Sequence, residues 1–422
     1  MLLALIIFII TYVSLLVFPK YRAYIAMASA IIFIVLNILP YEKAFGYLDF
    51  NVLMMIAGTM GIVILFIESK MPALLADLII EKTPNVKWAI VSLALFAGII
   101  SAFIDNVATV LMIAPVALNI AKKLKISPVP SIIAIAISSN LQGAATLVGD
   151  TTSIMLGSVA HMDFLDFFFM EGKIGIFWVV EAGALLTMII LLYFFRNETT
   201  FIEPTKRTEV NSYFPSVLLA GVVVLLILAS FIPGRPALTN GYICMSLMVI
   251  GLIYKIVKTK KFSSIFSIVK EIDFFTILLL AGLFLVIGGI TEAGVILEIS
   301  EIISNIGQGS PFMVYTIIVW ASVLISAFVD NIPYVATMLP VTTQIATNLG
   351  ITPYVLYFGL LIGATLGGNI TPIGASANIT GIGILRKEGY EVKAKEFMKL
   401  GIPFTLTAVI TGYILIWVIW GI

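Results

Sequence analysis

The feature that most constrains the fold of this chain is a series of apolar runs, each close to the length of a membrane-spanning helix. A helix needs about 20 apolar residues to cross a hydrocarbon core of about 30 Å. Only 11% of the residues are charged and 61% are hydrophobic, whereas a soluble domain has about 25% and 45–50%. The sequence therefore predicts an all-α polytopic membrane protein. The predicted spans are 2–18, 22–39, 50–68, 174–195, 213–231, 239–257, 273–291 and 401–420.

The charge and the scarce residue types exclude several classes of function. The net charge is +1, so no bulk field recruits nucleic acid, and membrane lipid is the expected surrounding. A single cysteine, Cys244, excludes an internal disulfide, and a single histidine, His161, argues against a histidine-built metal site. We expect no resident cofactor. The apolar amino-terminal run has no basic region before it and no small-residue cleavage site, so it is predicted to be a retained helix.

Two Asp-Asn pairs interrupt apolar segments at corresponding places in the two halves of the chain. The first lies in SAFIDNVATVLMIAPV at 101–116 and the second in SAFVDNIPYVATMLPV at 326–341. Residues 101–128 and 326–353 align without a gap at an offset of 225. A match of this length indicates an internal repeat.

The repeat predicts the topology. The first repeat is 1–195, the second is 213–422, and a cytoplasmic linker at 196–212 joins them. Each repeat is predicted to have five spans, a re-entrant helical hairpin and a broken helix. Five is an odd number, so the second repeat lies upside down relative to the first, as in many secondary transporters.

The basic residues agree with this topology. Nearly all Lys and Arg fall on the side reached after the first span, and only Lys43, Lys173 and Arg235 fall on the other. Basic residues accumulate on the cytoplasmic side. Both termini are therefore predicted to lie outside, in an inner or plasma membrane.

The Asp-Asn pairs have two interpretations. Asp and Asn are common in turns, so each pair can be a surface bend between two full spans. A carboxylate at the bilayer centre costs about 2.5–3.5 kcal/mol and persists where it meets a cavity, a partner or an ion. Because the inverted second copy keeps the pair and a broken helix follows each copy, we favour hairpin tips that carry an ion site.

The broken helices supply the remaining candidate residues. The breaks are GAATLVGD at 143–150 and GGNITPIGASAN at 367–378. Backbone groups freed by a break are tolerated in a membrane only where they line a cavity or are packed in protein. The predicted ion- or substrate-binding residues are Asp105, Asn106, Asn140, Gly143, Thr146, Gly149, Asp150, Asp330, Asn331, Gly368, Asn369, Thr371, Gly374 and Asn378.

These paired motifs resemble the ion transporter superfamily, most closely its arsenite-efflux, NhaD-type sodium/proton antiporter and melanosomal P-protein branch. The resemblance covers nearly the whole chain. It implies a scaffold of about 1–85 and 213–305 and a transport domain of about 86–195 and 306–422 that moves like an elevator. It also implies two pseudo-symmetric sites.

The resemblance carries two departures. In related dicarboxylate symporters the tips read Ser-Asn-Thr, whereas here they read Asp-Asn, which favours a cation over a dianion. P-protein-like members have Pro-Pro-Asn after the first Gly-Asp, where this chain has Thr151, Thr152 and Ser153. The resemblance places Na⁺ at the residues of the two tips, Asp105, Asn106, Asp330 and Asn331.

The sequence thus predicts a secondary active transporter that couples a small inorganic ion to H⁺ or Na⁺. Sodium/proton antiport and arsenite or antimonite efflux are its two main substrate interpretations. A sodium-coupled dicarboxylate or citrate symporter is an alternative, and an ion channel is the alternative of another class. No zinc spacing or nucleotide loop indicates an enzyme. The sequence leaves two possible partners: a second copy of the chain in a homodimer, and a separate ATPase subunit if the protein is an arsenite pump.

Overall fold

The computed structural model describes residues 1–202 and 207–421. Part of the predicted linker, 203–206 with Lys206 of the basic side, lies outside the described residues, as does Ile422. The described first half contains ten α-helices. They are α1 Leu2–Val17, α2 Arg22–Val35, α3 Tyr41–Tyr47, α4 Phe50–Glu68, α5 Met71–Glu81, α6 Val86–Ser101, α7 Asn106–Leu124, α8 Val129–Gly143, α9 Thr151–Val159 and α10 Ile176–Phe194.

A small hairpin of two strands precedes α10. Strands β1 (Phe169–Met170) and β2 (Lys173–Ile174) pair antiparallel, with Phe169 opposite Ile174. The described second half contains ten further helices. They are α11 Phe214–Ser230, α12 Thr239–Thr259, α13 Ser264–Glu271, α14 Phe274–Glu292, α15 Val295–Ile306, α16 Pro311–Ser326, α17 Asn331–Leu349, α18 Tyr354–Gly367, α19 Ser376–Lys387 and α20 Ala394–Trp420.

The lengths of the helices confirm a polytopic all-α protein. Six described helices, α4, α7, α10, α12, α14 and α20, are long and apolar enough to cross a membrane. Two bent pairs, α1 with α2 at 115° and α15 with α16 at 113°, raise the number to eight if each pair is one span. The first two predicted spans are therefore a bent pair in the structure, and the predicted five spans per repeat stay a prediction.

Acidic residues begin several of these helices. The side chains of Asp49 and Asp273 each accept a hydrogen bond of 3.0 Å from a backbone N–H in the first turn of α4 and α14. Asp105, Asp150 and Asp330 do the same for α7, α9 and α17. A carboxylate at this position satisfies amide groups that the helix itself leaves free. The acidic residue at each of these positions thus determines where the helix begins.

The central helices are α8 and α18. Every residue of α8 except Pro130 is buried, and so is every residue of α18 except Tyr354. A helix that is covered on all sides belongs to the interior of the bundle. Helix α8 packs against α6 and α18 against α16, while α4 packs against α12, α14 against α2 and α10 against α20. The break that follows α8 is therefore held inside the protein, whereas the break that follows α18 is mostly buried but exposes Ile373.

The described part of the linker is attached to α5. Arg207 donates two hydrogen bonds, of 2.9 and 3.0 Å, to the carboxylate of Glu81. This bidentate pair lowers the pKa of Glu81. Nearby, Thr208 donates from its backbone and its hydroxyl to Asp77.

Candidate functional site

The two Asp-Asn tips lie between helices of corresponding length. Residues 106–124 and 331–349 form α7 and α17, and the residues before each tip form α6 and α16. Asp105 accepts from the backbone N–H groups of Val107 and Ala108 at 3.0 and 3.1 Å. Asp330 accepts from the N–H of Ile332 at 3.1 Å. In each tip one carboxylate oxygen of the Asp caps a helix, and the other oxygen takes no part in the cap.

Each tip is attached to the break of its own half by a threonine. The hydroxyl of Thr146 donates to the carbonyl of Ala102, and that of Thr371 donates to the carbonyl of Ala327. Both pairs are related by the offset of 225. These two hydroxyls therefore hold the tips against the breaks, and neither lines the cavity described below.

The close approach of tip and break requires glycine. A Cβ at Gly149 would lie 2.5 Å from the carbonyl oxygen of Gly143 and within 2.8 Å of those of Ser101 and Ala102. Gly374 meets the corresponding three carbonyls at 2.6–2.8 Å. A side chain at either position would collide with backbone that cannot rotate away. The signal for these glycines in the sequence was their shared offset.

Asn140 connects the two halves. Its Nδ2 donates to the carbonyl of Thr365 at 2.6 Å and to Oδ1 of Asn369 at 3.0 Å. Its Oδ1 accepts from Nδ2 of Asn106 at 2.9 Å. Asn369 in turn donates to the carbonyl of Ile137 at 2.9 Å. This fully buried amide network fixes the first tip relative to the break of the second half.

Asp150 also reaches the other half. Its carboxylate accepts from the N–H of Thr151 at 2.8 Å and from the hydroxyl of Thr152 at 2.6 Å. Nδ2 of Asn331, from the second tip, lies at 3.4 Å from its Oδ2. The hydroxyl of Thr152 is also 3.0 Å from that of Thr365. The position that corresponds to Asp150 in the second half is Ala375, so the two halves differ in charge here.

A cavity of about 360 Å³ opens beside the first tip. Four carboxylates line it, and none of its described lining residues is Lys, Arg or His. The apolar wall comes from α4 and α7, with Ile332 from α17. The polar lining residues are Asp105, Asn106, Asp150, Thr151, Glu271, Asp273, Thr276, Asn331 and Ser376. Such a site attracts a cation.

Asp330 does not line this cavity. It is 4% exposed, and Nη1 of Arg22 lies 2.9 Å from its Oδ2. The hydroxyl of Ser376 donates to the same oxygen at 3.2 Å. The sequence motifs did not indicate Arg22, which counted only as one of many cytoplasmic-side cations.

The structure divides the predicted site residues into two sets. Asp105, Asn106, Asp150 and Asn331 lie together on the cavity. The others form the buried framework behind it. That framework is Asn140, Gly143, Thr146, Gly149, Gly368, Asn369, Thr371, Gly374 and Asn378, with Asp330 on its ion pair.

Glu271 and Asp273, at the rim of the cavity, were not predicted as site residues. Asp273 carried one signal in the sequence, since it repeats Asp49 at an offset of 224. Within 1–202 and 207–421 no three His, Cys, Asp or Glu side chains cluster closely enough to hold a metal ion on their own.

A second cavity, of about 640 Å³, is lined by residues of the helix starts and loops around Asp49. The hydroxyl of Ser158 donates to Asp49, and Arg235 forms an ion pair with Asp163. His161 also lines this cavity. Asp49 and Asp273 are repeat partners, so the two cavities lie at corresponding ends of the two halves.

Comparisons with known proteins place this chain among membrane transporters. The family model described as citrate transporter, CitMHS, matches residues 3–363. A 46 kDa membrane protein of Mycobacterium leprae is 32% identical over 329 residues, which are 77% of this chain and 76% of that protein. The P protein of Mus musculus is 27% identical over 457 residues, covering 88% of this chain and 54% of that protein.

A solved structure has a similar fold. The YdaH transporter of Alcanivorax borkumensis superposes with a TM-score of 0.60 over 89% of this chain and 87% of that one, at 13% identity. At this identity the likeness concerns the fold.

Proposed function

This chain belongs to the citrate transporter (CitMHS) family of membrane transporters, and we propose that it exchanges Na⁺ for H⁺ by secondary active transport. The observation that carries the proposal is the acidic cavity at the first tip. Asp105 and Asp150 line it without a basic side chain among the described lining residues. A buried carboxylate can hold Na⁺ and H⁺ in turn, which is what an antiporter requires. Na⁺ and H⁺ are thus the proposed coupling ions, and the two tips the proposed sites.

The position of the cavity supports an elevator-type movement. Its lining comes from α4 and from 271–276, in the proposed scaffold of 1–85 and 213–305. The rest comes from 105–111, 150–151, 331–332 and 376, in the proposed transport domain of 86–195 and 306–422. A site between a fixed and a moving part can face each side of the membrane in turn.

The second cavity supports alternating access in inverted repeats. Asp273 follows a Lys-rich segment and Asp49 does not. By the positive-inside rule the acidic cavity therefore faces the cytoplasmic side of a cell membrane, and both termini lie on the outer side. At the other end, Ser158 donates to Asp49 and Arg235 pairs with Asp163, and all four residues line the second cavity. We therefore interpret the two cavities as openings toward opposite sides of the membrane.

Arsenite efflux has less support. Neutral arsenite needs hydroxyl and amide partners, and Thr146, Asn369 and Thr371 are the predicted site residues whose side chains could supply them. Their side chains are engaged with Ala102, with Asn140 and Ile137, and with Ala327, respectively. None of the three lines the acidic cavity. An ATPase partner has no independent support either.

A second candidate function is cation-coupled citrate symport. The family model favours it, because its description is citrate transporter. Four carboxylates on the cavity repel a citrate anion unless cations bind with it. We therefore place this function second.

The test uses purified protein in liposomes with an internal pH dye. A Na⁺ or Li⁺ gradient is expected to drive stoichiometric proton counter-flow, whereas choline, arsenite and citrate gradients are not. Proton movement driven by a citrate gradient alone would contradict antiport and support symport. Unitary currents without proton counter-flow would contradict both antiport and symport and would show that the protein is a channel.

A further inference from the structure

We propose that Arg22 is a tethered cation that competes with the transported monovalent metal cation for the carboxylate of Asp330. The proposal rests on the proposed function and extends it, since it assigns a role to a residue outside both tips and breaks. In this structure the guanidinium occupies the second tip. Asp330 becomes available to Na⁺ only after the tip moves away from Arg22.

The geometry of the pair is that of a held ligand. Nη1 of Arg22 lies 2.9 Å from Oδ2 of Asp330, and the two side chains are 14% and 6% exposed. Nε of Arg22 donates to the carbonyl of Leu15 at 3.1 Å. That carbonyl lies near the end of α1, where the chain bends into α2. The guanidinium is thus oriented from one side by backbone and directed at the carboxylate on the other.

The first tip offers a contrast. Asp105 is the repeat partner of Asp330, yet its side chain has no basic partner among the described residues and shares its cavity with Asp150, Glu271 and Asp273. Two equivalent carboxylates are therefore set in opposite charge environments. The second tip carries its own cation, and the first tip has room for one from solution.

The bent pair of α1 and α2 holds the second tip at further points. The hydroxyl of Tyr12 donates to the carbonyl of Pro333 at 2.7 Å and contacts the hydroxyl of Thr337. Both partners lie in the first turns of α17. Arg22 and Tyr12 belong to the proposed scaffold, and Asp330 and Pro333 to the proposed transport domain. An elevator movement would separate these partners.

Charge arithmetic explains why the occupants exclude each other. A guanidinium stays protonated in proteins, and a second cation on the same buried carboxylate would meet like-charge repulsion in a medium of low dielectric constant. Na⁺ must therefore leave Asp330 before Arg22 returns. This exclusion couples release of the ion to the return of the tip.

The test measures Na⁺-dependent thermal stabilisation of the purified full chain in detergent, with choline keeping ionic strength constant. In Arg22→Gln the Na⁺ concentration for half-maximal stabilisation is expected to fall about tenfold. A cation within about 4–6 Å changes the proton affinity of a carboxylate by about ten- to thousandfold, and it should weaken the binding of Na⁺ in the same direction. In an Asp330→Asn background, Arg22→Gln should cause no further shift. Arg207→Gln, which breaks an exposed pair, should behave as wild type.

Two outcomes overturn the proposal. One is an equal Na⁺ midpoint in wild type and Arg22→Gln, and the other is a shift that persists in the Asp330→Asn background. If Arg22→Gln is not recovered folded, Arg22→Lys replaces it in the test. The lysine ammonium makes fewer hydrogen bonds than the guanidinium, so the Na⁺ midpoint should lie between those expected for wild type and Arg22→Gln. A Na⁺ midpoint equal to that of wild type would refute competition. Proton counter-flow in liposomes without a shift of the Na⁺ midpoint in Arg22→Gln would contradict this inference and leave the proposed antiport standing. A shift of the Na⁺ midpoint without proton counter-flow would contradict the proposed antiport and leave this inference standing.

Discussion

Asn140 donates a hydrogen bond of 2.6 Å to the carbonyl of Thr365, and the two residues occupy equivalent positions of the repeat. Equivalent positions of the two halves are therefore in direct contact here. Both are fully buried. The Asn106 amide is attached to the same node, so the geometry of the first tip depends on contact with the second half.

Asn140→Ala should destabilise the protein. It leaves Nδ2 of Asn106, Oδ1 of Asn369 and the carbonyl of Thr365 without their buried partner. An unsatisfied buried polar group costs about 1–3 kcal/mol, so we expect a loss of at least that size. Thermal or denaturant unfolding in detergent measures it.

Asn305→Ala is the matched control for Asn140→Ala. Asn305 is exposed near the end of α15, and its truncation should leave the unfolding midpoint unchanged. Equal unfolding midpoints for the two variants would show that the hydrogen bonds of Asn140 do not hold the two halves together.

Asp105→Asn should abolish ion-coupled flux, down to the level of empty liposomes, while leaving the protein in the membrane. Asn is as good a helix N-cap as Asp, so the bonds to Val107 and Ala108 can persist. The amide, however, cannot exchange H⁺ for Na⁺. Flux with a pH dye and the amount of membrane-extracted protein measure the two effects.

Asp77→Asn controls for loss of a carboxylate outside the cavity. Asp77 contacts Thr208 at the linker, so its flux should match wild type. Normal exchange in Asp105→Asn would remove the proposed role of the first tip.

The sequence could predict the parts that depend on local chemistry and on the repeat. Helix-capping by Asp105 and Asp330, and the glycines at 149 and 374, follow from residue type and an offset of 225. The role of Arg22 could not be predicted, because its partner lies 308 residues away and a basic residue after a first span reads as a membrane-face cation. Glu271 likewise reaches the cavity only through packing.

Gly149→Ala should destabilise the break after α8 by about 1–3 kcal/mol, the usual cost of forcing extra atoms into a packed core. Its Cβ would meet three backbone carbonyls within 2.8 Å. Gly383→Ala is the control, because its Cβ would meet nothing within 4 Å in α19 and alanine favours a helix by about 1 kcal/mol. A Gly149→Ala variant as stable as Gly383→Ala would contradict the close approach of tip and break.

Lys122→Ala should have little effect. Its Nζ lies 2.5 Å from the carboxylate of Glu388, but the side chains are 46% and 38% exposed. Exposed ion pairs contribute about 0–1 kcal/mol. A larger fall in unfolding midpoint, or any loss of flux, would show that contact between α7 and the end of α19 matters for transport.

Cysteines at the two tips should differ in reactivity, because only the first tip meets the cavity. The experiment starts from Cys244→Ala, which removes a buried native thiol, and introduces Asp105→Cys or Asp330→Cys separately. Asp105 is partly exposed on the cavity, whereas Asp330 is 4% exposed under Arg22. Since thiol reactivity needs access for the reagent, a small charged methanethiosulfonate should label position 105 about tenfold faster or more. Equal, immediate labelling at both positions would mean that the tips are surface bends, and the transport-site proposal would fail with them.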